Sequence, residues 1–136
     1  MVDNDRNILA ALRISLAADG YRAVVSSSAI DAFRKLNRRR FELVIADIHL
    51  DGLVDSGLAF LTDLRYRVPH LPVIAISNSL DGETEKRLKD LGIRDFFSKP
   101  LELRSLKRAL RSLLLWNREP SPRRKKPRIV EHLARS

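Results

Sequence analysis

Phe41-Glu42-Leu43-Val44-Ile45-Ala46-Asp47-Ile48-His49-Leu50 is the stretch that decides the fold of this chain. It is a short, almost wholly apolar run that carries a carboxylate at its end. A run of about four to eight apolar residues, rich in Val and Ile, suits a strand covered on both faces, as in a parallel sheet. Asp47 then lies at the carboxyl end of a buried strand, the edge at which open α/β sheets hold their ligands. A polar residue that only marks where the strand meets solvent fits Asp47 as well. The flanking sequence has to choose between the two.

Before this stretch, Ile8, Leu12 and Leu16 recur at helical spacing, and Gly20 offers the left-handed residue that ends a helix. Tyr21 to Ser26 is a β-rich run that reads as a strand. Ser27 or Ser28 can cap a helix over Ala29–Leu36, closed by Arg38, Arg39 and Arg40 at its negative end. After it, the segment Asp51 to Gly57 has loop chemistry. Leu58, Leu61 and Leu64 resume a helical face, and Val73-Ile74-Ala75-Ile76-Ser77 is another apolar strand, ending on a hydroxyl. Glu83–Leu91 reads as a short charged helix stopped by Gly92. Asp95-Phe96-Phe97-Ser98-Lys99 is a further strand, ending on an ammonium and followed by Pro100. Leu103, Leu106, Leu110 and Leu113 or Leu114 mark a last amphipathic helix that runs out near Trp116. Strands and helices alternate at βαβ spacing, which predicts an α/β fold with a parallel sheet and helices on both faces.

Composition sets further bounds. At 136 residues, length points to one domain. Cysteine is absent, which excludes disulfides, thiolate metal sites and a thiol nucleophile. No apolar run approaches the roughly 18 residues of a membrane span, and Met1 opens no signal peptide, so a cytoplasmic location is expected. The net charge of +9 is uneven. Residues 1–116 hold 19 Lys/Arg against 15 Asp/Glu, and residues 117–136 hold 7 against 2, so +5 of the excess sits in the last twenty residues. The division expected is a domain over 1–116 and a basic, disordered tail over 117–136.

In a parallel sheet every strand delivers its carboxyl end to one edge. That edge collects Asp3 and Asn4, Asp47, Ser77 and Lys99, with Asp51 and Asp55 in the loop after Asp47. Clustered oxygen ligands beside a Lys and a Ser suit Mg²⁺ with a phosphoryl group, since Mg²⁺ takes few carboxylates and shares its shell with phosphate oxygens. Lys and Ser would meet those oxygens with charge and a hydrogen bond. An Asp can itself be the nucleophile that forms an aspartyl phosphate.

These residues carry a resemblance. Over about residues 1–116 the chain resembles the receiver domain of two-component response regulators. The matching pieces are Val2-Asp3-Asn4-Asp5, Leu43-Val44-Ile45-Ala46-Asp47, Pro72-Val73-Ile74-Ala75-Ile76-Ser77 and Phe96-Phe97-Ser98-Lys99-Pro100. The resemblance implies a flavodoxin-like, doubly wound five-stranded sheet of order 2-1-3-4-5 with five helices. It implies phosphotransfer from a histidine kinase or phosphotransfer protein to Asp47, and an output protein that reads the result. By position, Asp3, Asn4, Asp47 and the His49 backbone carbonyl would hold Mg²⁺, so that the His49 imidazole need play no part. Ser77 and Lys99 would meet the phosphoryl group, Ser77 and Phe96 would form the switch, and Lys99-Pro100 would be a cis peptide.

The chain departs from that pattern in places. Asn4 stands where the family has a second carboxylate, which predicts weaker Mg²⁺ binding. Asp51 replaces a proline in a loop two residues longer than usual. Only Met1-Val2 precede Asp3, so the first strand is truncated, and a central strand of that length leaves ladder groups of its neighbours to be satisfied. Apolar residues preceding Met1 in the native product are therefore expected.

Three functions compete. One is a stand-alone phosphorylatable receiver, an acceptor rather than an enzyme. Another is a degenerate receiver used, without phosphorylation, as a protein-interaction module, which Asn4 favours. The third is an aspartate-nucleophile phosphohydrolase, which needs a second Asp where His49 stands. Phosphate-binding glycine loops are absent. The tail, with three prolines and the run Arg123-Arg124-Lys125-Lys126, is either a solvated extension or a handle for nucleic acid, an anionic membrane surface or an acidic partner.

Overall fold

A computed structural model describes residues 6–49, 54–78 and 80–116. The elements in chain order are α1 (Arg6–Ala18), α2 (Ala29–Arg38), β1 (Val44–Asp47), α3 (Val54–Arg67), β2 (Val73–Ser77), α4 (Gly82–Asp90), β3 (Asp95–Ser98) and α5 (Leu103–Trp116). The three strands form one parallel sheet in the order β1-β2-β3. Every residue of β1 and β2 is buried, which is what their continuous apolar runs demand of strands covered on both faces. β3 is only half-buried and closes its end of the described sheet.

Register sets the site. Val44 pairs with Val73 and Asp47 with Ile76, while Ile74 pairs with Asp95 and Ser77 with Ser98. Each ladder then continues one bond past its strand. Ile48 N–H donates to Ile76 O at 2.9 Å, and Lys99 N–H donates to Ser77 O at 2.8 Å. The residues that follow the two strand ends are thereby held level with one another.

The helices bring their apolar faces to this sheet. Leu12 and Leu16 of α1, Leu58, Leu61 and Leu64 of α3, Leu88 of α4, and Leu106, Leu110 and Leu114 of α5 are all buried in one core. Leu12, Leu16, Leu58, Leu61, Leu64, Leu106, Leu110 and Leu114 are positions the helical spacing picks out, while Leu103, also expected on the apolar face of α5, is exposed. α2 lies against α3, since the Phe33 and Phe60 rings are 4.9 Å apart and the Arg67 guanidinium stands 4.2 Å above the Phe33 ring. α5 reaches the end of α1 through Lys107 and Asp19 at 2.8 Å. Ser28 is the cap of α2, its hydroxyl accepting the Asp31 N–H at 3.1 Å. Gly20 and Gly92 take positive φ, 87° and 77°, and turn the chain out of α1 and α4.

Two local expectations change. Tyr21 to Ser26, expected as a strand, has no ladder among the described residues and makes only a single bridge at Ser26. A strand is defined by its neighbour, and the neighbour expected here, Met1-Val2, lies outside the described residues. Side chains tie the segment to α2: Ser26 Oγ donates to Asp31 Oδ2 at 2.9 Å and Lys35 Nζ donates to Val25 O at 3.0 Å. The loop expected through Gly57 is shorter, because α3 starts at Val54 and so takes in Asp55. Gly57 is what lets α3 pack so closely there. A Cβ on it would run into the backbone of Ile48, so this turn of α3 lies directly on the chain leaving β1.

Candidate functional site

The strand ends bring three of the predicted residues to one edge. Asp47 closes β1 and Ser77 closes β2, and both are buried, at 3% and 0% exposure. Lys99 follows β3. Its ammonium donates to Asp47 Oδ2 at 2.6 Å across 52 residues of sequence. The other carboxylate oxygen, Oδ1, accepts the His49 N–H at 2.8 Å, a side-chain turn over two residues that holds the carboxylate at the strand end. A carboxylate this buried needs such donors, since taking a charge out of water is costly unless it is paired. The geometry removes the reading of Asp47 as a mere solvent-facing terminus.

Asp3 and Asn4, expected as the metal pair, lie outside the described residues, as does Asp51. Phe96, half-buried on β3 opposite Ala75, packs against the core. Lys99-Pro100 is cis, as the resemblance implied.

The residue that sequence reasoning passed over is the side chain of His49. Its Nδ1 lies 3.3 Å from Asn78 N, 3.4 Å from Ser77 Oγ and 3.7 Å from Asp47 Oδ1. A backbone amide can only donate, so Nδ1 accepts from Asn78 and carries no proton in this arrangement. The 3.7 Å approach to Asp47 is therefore no ion pair; it is two acceptors meeting across the site. A signal for this was present: residues i and i+2 of an extended segment project to the same side, so His49 follows Asp47 to the site edge.

Among the described residues no group of three or more His, Asp or Glu side chains could hold a metal. The donor chemistry that is described suits Mg²⁺, a hard cation that needs only one or two protein carboxylates. Each Asp47 oxygen offers two lone pairs, of which the Lys99 and His49 donors take one apiece.

A parallel α/β sheet whose strand ends gather a buried Asp, a Ser and a Lys is the arrangement that the resemblance to receiver domains implied. Residues 1–111 match the model of the response regulator receiver domain, and the chain belongs to that family. It is 34% identical over 108 residues to the response regulator protein FleR of Pseudomonas aeruginosa, covering 78% of this chain and 22% of FleR. The chain thus spans under a quarter of the length of that curated relative. The crystal structure of the receiver domain of NtrX from Brucella abortus superposes with a TM-score of 0.72 at 32% identity, over 82% of this chain and 94% of that one. A CheY-like receiver domain protein from Methanospirillum hungatei gives a TM-score of 0.78 over 85% of this chain and 90% of its own, and at 23% identity it speaks to the fold alone. The fold is flavodoxin-like, with five helices and a parallel sheet of which the described residues hold three strands.

Proposed function

We propose that this receiver accepts a phosphoryl group on Asp47 from a phosphohistidine of a kinase or phosphotransfer protein. The observation that carries the reading is the Lys99 ammonium on the buried Asp47 carboxylate at 2.6 Å, with Ser77 at the end of the adjoining strand. Transfer breaks the P–N bond of the donor and forms a P–O bond to Asp47, the imidazole leaving with the electron pair. Lys99 sits where negative charge accumulates on the moving group. The Ser77 hydroxyl, buried at the strand end, donates to an oxygen of the new phosphoryl group. Catalysis here is positioning and charge stabilisation rather than covalent chemistry by the surrounding residues.

Asp3, Asn4, Asp47 and the His49 carbonyl are the residues that would hold Mg²⁺, whose contribution is to neutralise phosphoryl oxygens. Loss of one charge at Asn4 weakens that binding. The family receives signals from histidine kinases and passes them to output partners. For this chain we infer a protein-binding face that changes when Ser77 turns toward the phosphoryl group and Phe96 repacks behind it. Because Phe96 has no hydroxyl, that switch works through packing alone. Asn4 also favours a second reading, a receiver used for protein contact without phosphorylation.

Intact-mass analysis after incubation with a small phosphodonor, with and without Mg²⁺, decides between them. The parent gains one phosphoryl mass in Mg²⁺ and Asp47→Asn gains none. No gain on the parent would leave the interaction module.

A further inference from the structure

We infer that the end of the receiver opposite Asp47 is a binding surface for single-stranded nucleic acid, with arginines along the phosphates and Tyr66 stacked on a base. Asp47 and phosphotransfer play no part in it. A parallel sheet that collects Asp47, Ser77 and Lys99 at one edge collects at the other edge whatever precedes its strands. Arg38, Arg39 and Arg40 come before β1, Arg67 before β2, and Lys89 and Arg94 before β3. These residues are all exposed, and among the described residues no ion pair engages Arg38, Arg39, Arg40, Lys89 or Arg94. The helix macrodipole accounts for cations in the last turns of α2, α3 and α4. Its pull falls off within a turn, however, and Arg40 and Arg94 lie beyond the helix ends. Of the carboxylates at this end, Asp63 and Asp90 are exposed while Glu42 and Asp95 are half-buried, so positive charge predominates at the surface.

Side chains hold the three helix ends next to one another. The Arg67 guanidinium stands 4.2 Å above the Phe33 ring of α2. On the other side of α3, Arg65 Nε donates to Leu91 O at 2.8 Å, at the end of α4, and Arg65 Nη1 donates to Leu71 O at 2.6 Å. Tyr66 stands between these two ties. It is two residues past the buried Leu64, about 200° round the helix, so it projects away from the core, and it is 90% exposed. Packed helix axes lie about 8–10 Å apart, so the three ends form a track of roughly 20 Å. An unpaired strand needs cations for its backbone and an aromatic face for a base, and the track suits the lower end of the about 4 to 16 nucleotides such sites take. Arginine forks also match phosphate oxygens in a way that lysine does not. A membrane surface would need a broader apolar face than Tyr66 and Val68 supply. A duplex keeps its bases stacked inside and offers Tyr66 nothing to stack on. α5 runs back to this same end and finishes at Trp116, so the basic residues 117–136 start from it.

The test uses the full chain and a fluorescent oligothymidylate, with a duplex of equal length beside it. Tyr66→Ala binds the single strand about tenfold more weakly than the parent, within the range for losing one stacked base, and binds the duplex as the parent does. Tyr66→Ser accompanies it in case one replacement fails to fold, and every variant is checked by thermal melting. Arg39→Gln/Arg40→Gln makes the log–log salt slope for the single strand shallower by about 1.4, two phosphate contacts at about 0.7 each. Arg104→Gln/Arg108→Gln, on α5 and with the same loss of charge, leaves that slope unchanged. Parental single-strand affinity in the Tyr66 variants overturns the surface, as do equal losses on single strand and duplex. An equal change of slope in both arginine pairs overturns it too, and leaves the cations as a solvated end. A parent that binds vesicles of anionic phospholipid and not the oligothymidylate overturns it in favour of a membrane surface.

Discussion

Lys99 and Asp47 meet at 2.6 Å in a place where the carboxylate has almost no access to water. Burying a charge with its partner is close to neutral, but removing one partner is strongly destabilising. Lys99→Ala should therefore lower unfolding free energy by about 3 kcal/mol, measured in urea, while also abolishing phosphoryl gain by mass. Asp47, Ser77 and Lys99 were legible because each is the polar residue that ends an apolar run, and such endings share one edge in a parallel sheet. The His49 ring was not legible in the same way. Its place depends on a backbone amide, Asn78 N–H, that comes from the end of another strand and leaves no mark on residue type.

Among the elements, α2 shows how far local chemistry reaches. Ser28 takes the Asp31 N–H, and Ser28→Ala should cost about 1 kcal/mol in urea unfolding at unchanged site chemistry. Two carboxyls at element ends respond to pH with opposite sign. Asp81 caps α4, and its hydrogen bonds from Thr84, backbone first, hold its carboxyl below the ordinary value. A carboxyl depressed in the fold gives stability that is present above its unfolded value and lost as pH falls through the folded one. Asp95, at the start of β3, is pushed up by burial. The fold then binds the proton more tightly than the unfolded chain does, so the stability is present below the unfolded value and lost as pH rises through the folded one. Asp95→Asn should accordingly be more stable than the parent in urea at pH 7 and level with it near pH 3. Helix periodicity and caps were readable in advance, whereas the strand expected at Tyr21 to Ser26 has no ladder among the described residues. β-propensity describes a surface suited to pairing, and the pairing itself is supplied from elsewhere.

At the scale of the whole molecule, the buried apolar side chains among the described residues run from Leu12 to Leu114, a single core between the helices and the sheet. The composition of 117–136 predicts a solvated tail, so its removal should leave the melting temperature of the receiver unchanged. The same deletion tests the reading of the tail as an electrostatic handle. Four adjacent cations, Arg123, Arg124, Lys125 and Lys126, predict binding to duplex DNA that falls with salt at a log–log slope of about −4 and vanishes on truncation. A slope near zero would leave the tail as solvated chain.

The amino-acid sequence by itself determined that this is a parallel α/β receiver, because apolar period, strand-end chemistry and loop spacing are all local properties. It determined which side chains could form the site. Tertiary structure decided which of them touch: register puts Lys99 on one oxygen of Asp47, and α3 packs through Gly57 directly on the Ile48 backbone. It also brought the His49 ring to the ends of β1 and β2, 3.4 Å from Ser77 Oγ. Hydrogen bonds between strand ends depend on distance and direction across the sheet, and neither is written in a residue's neighbours along the chain.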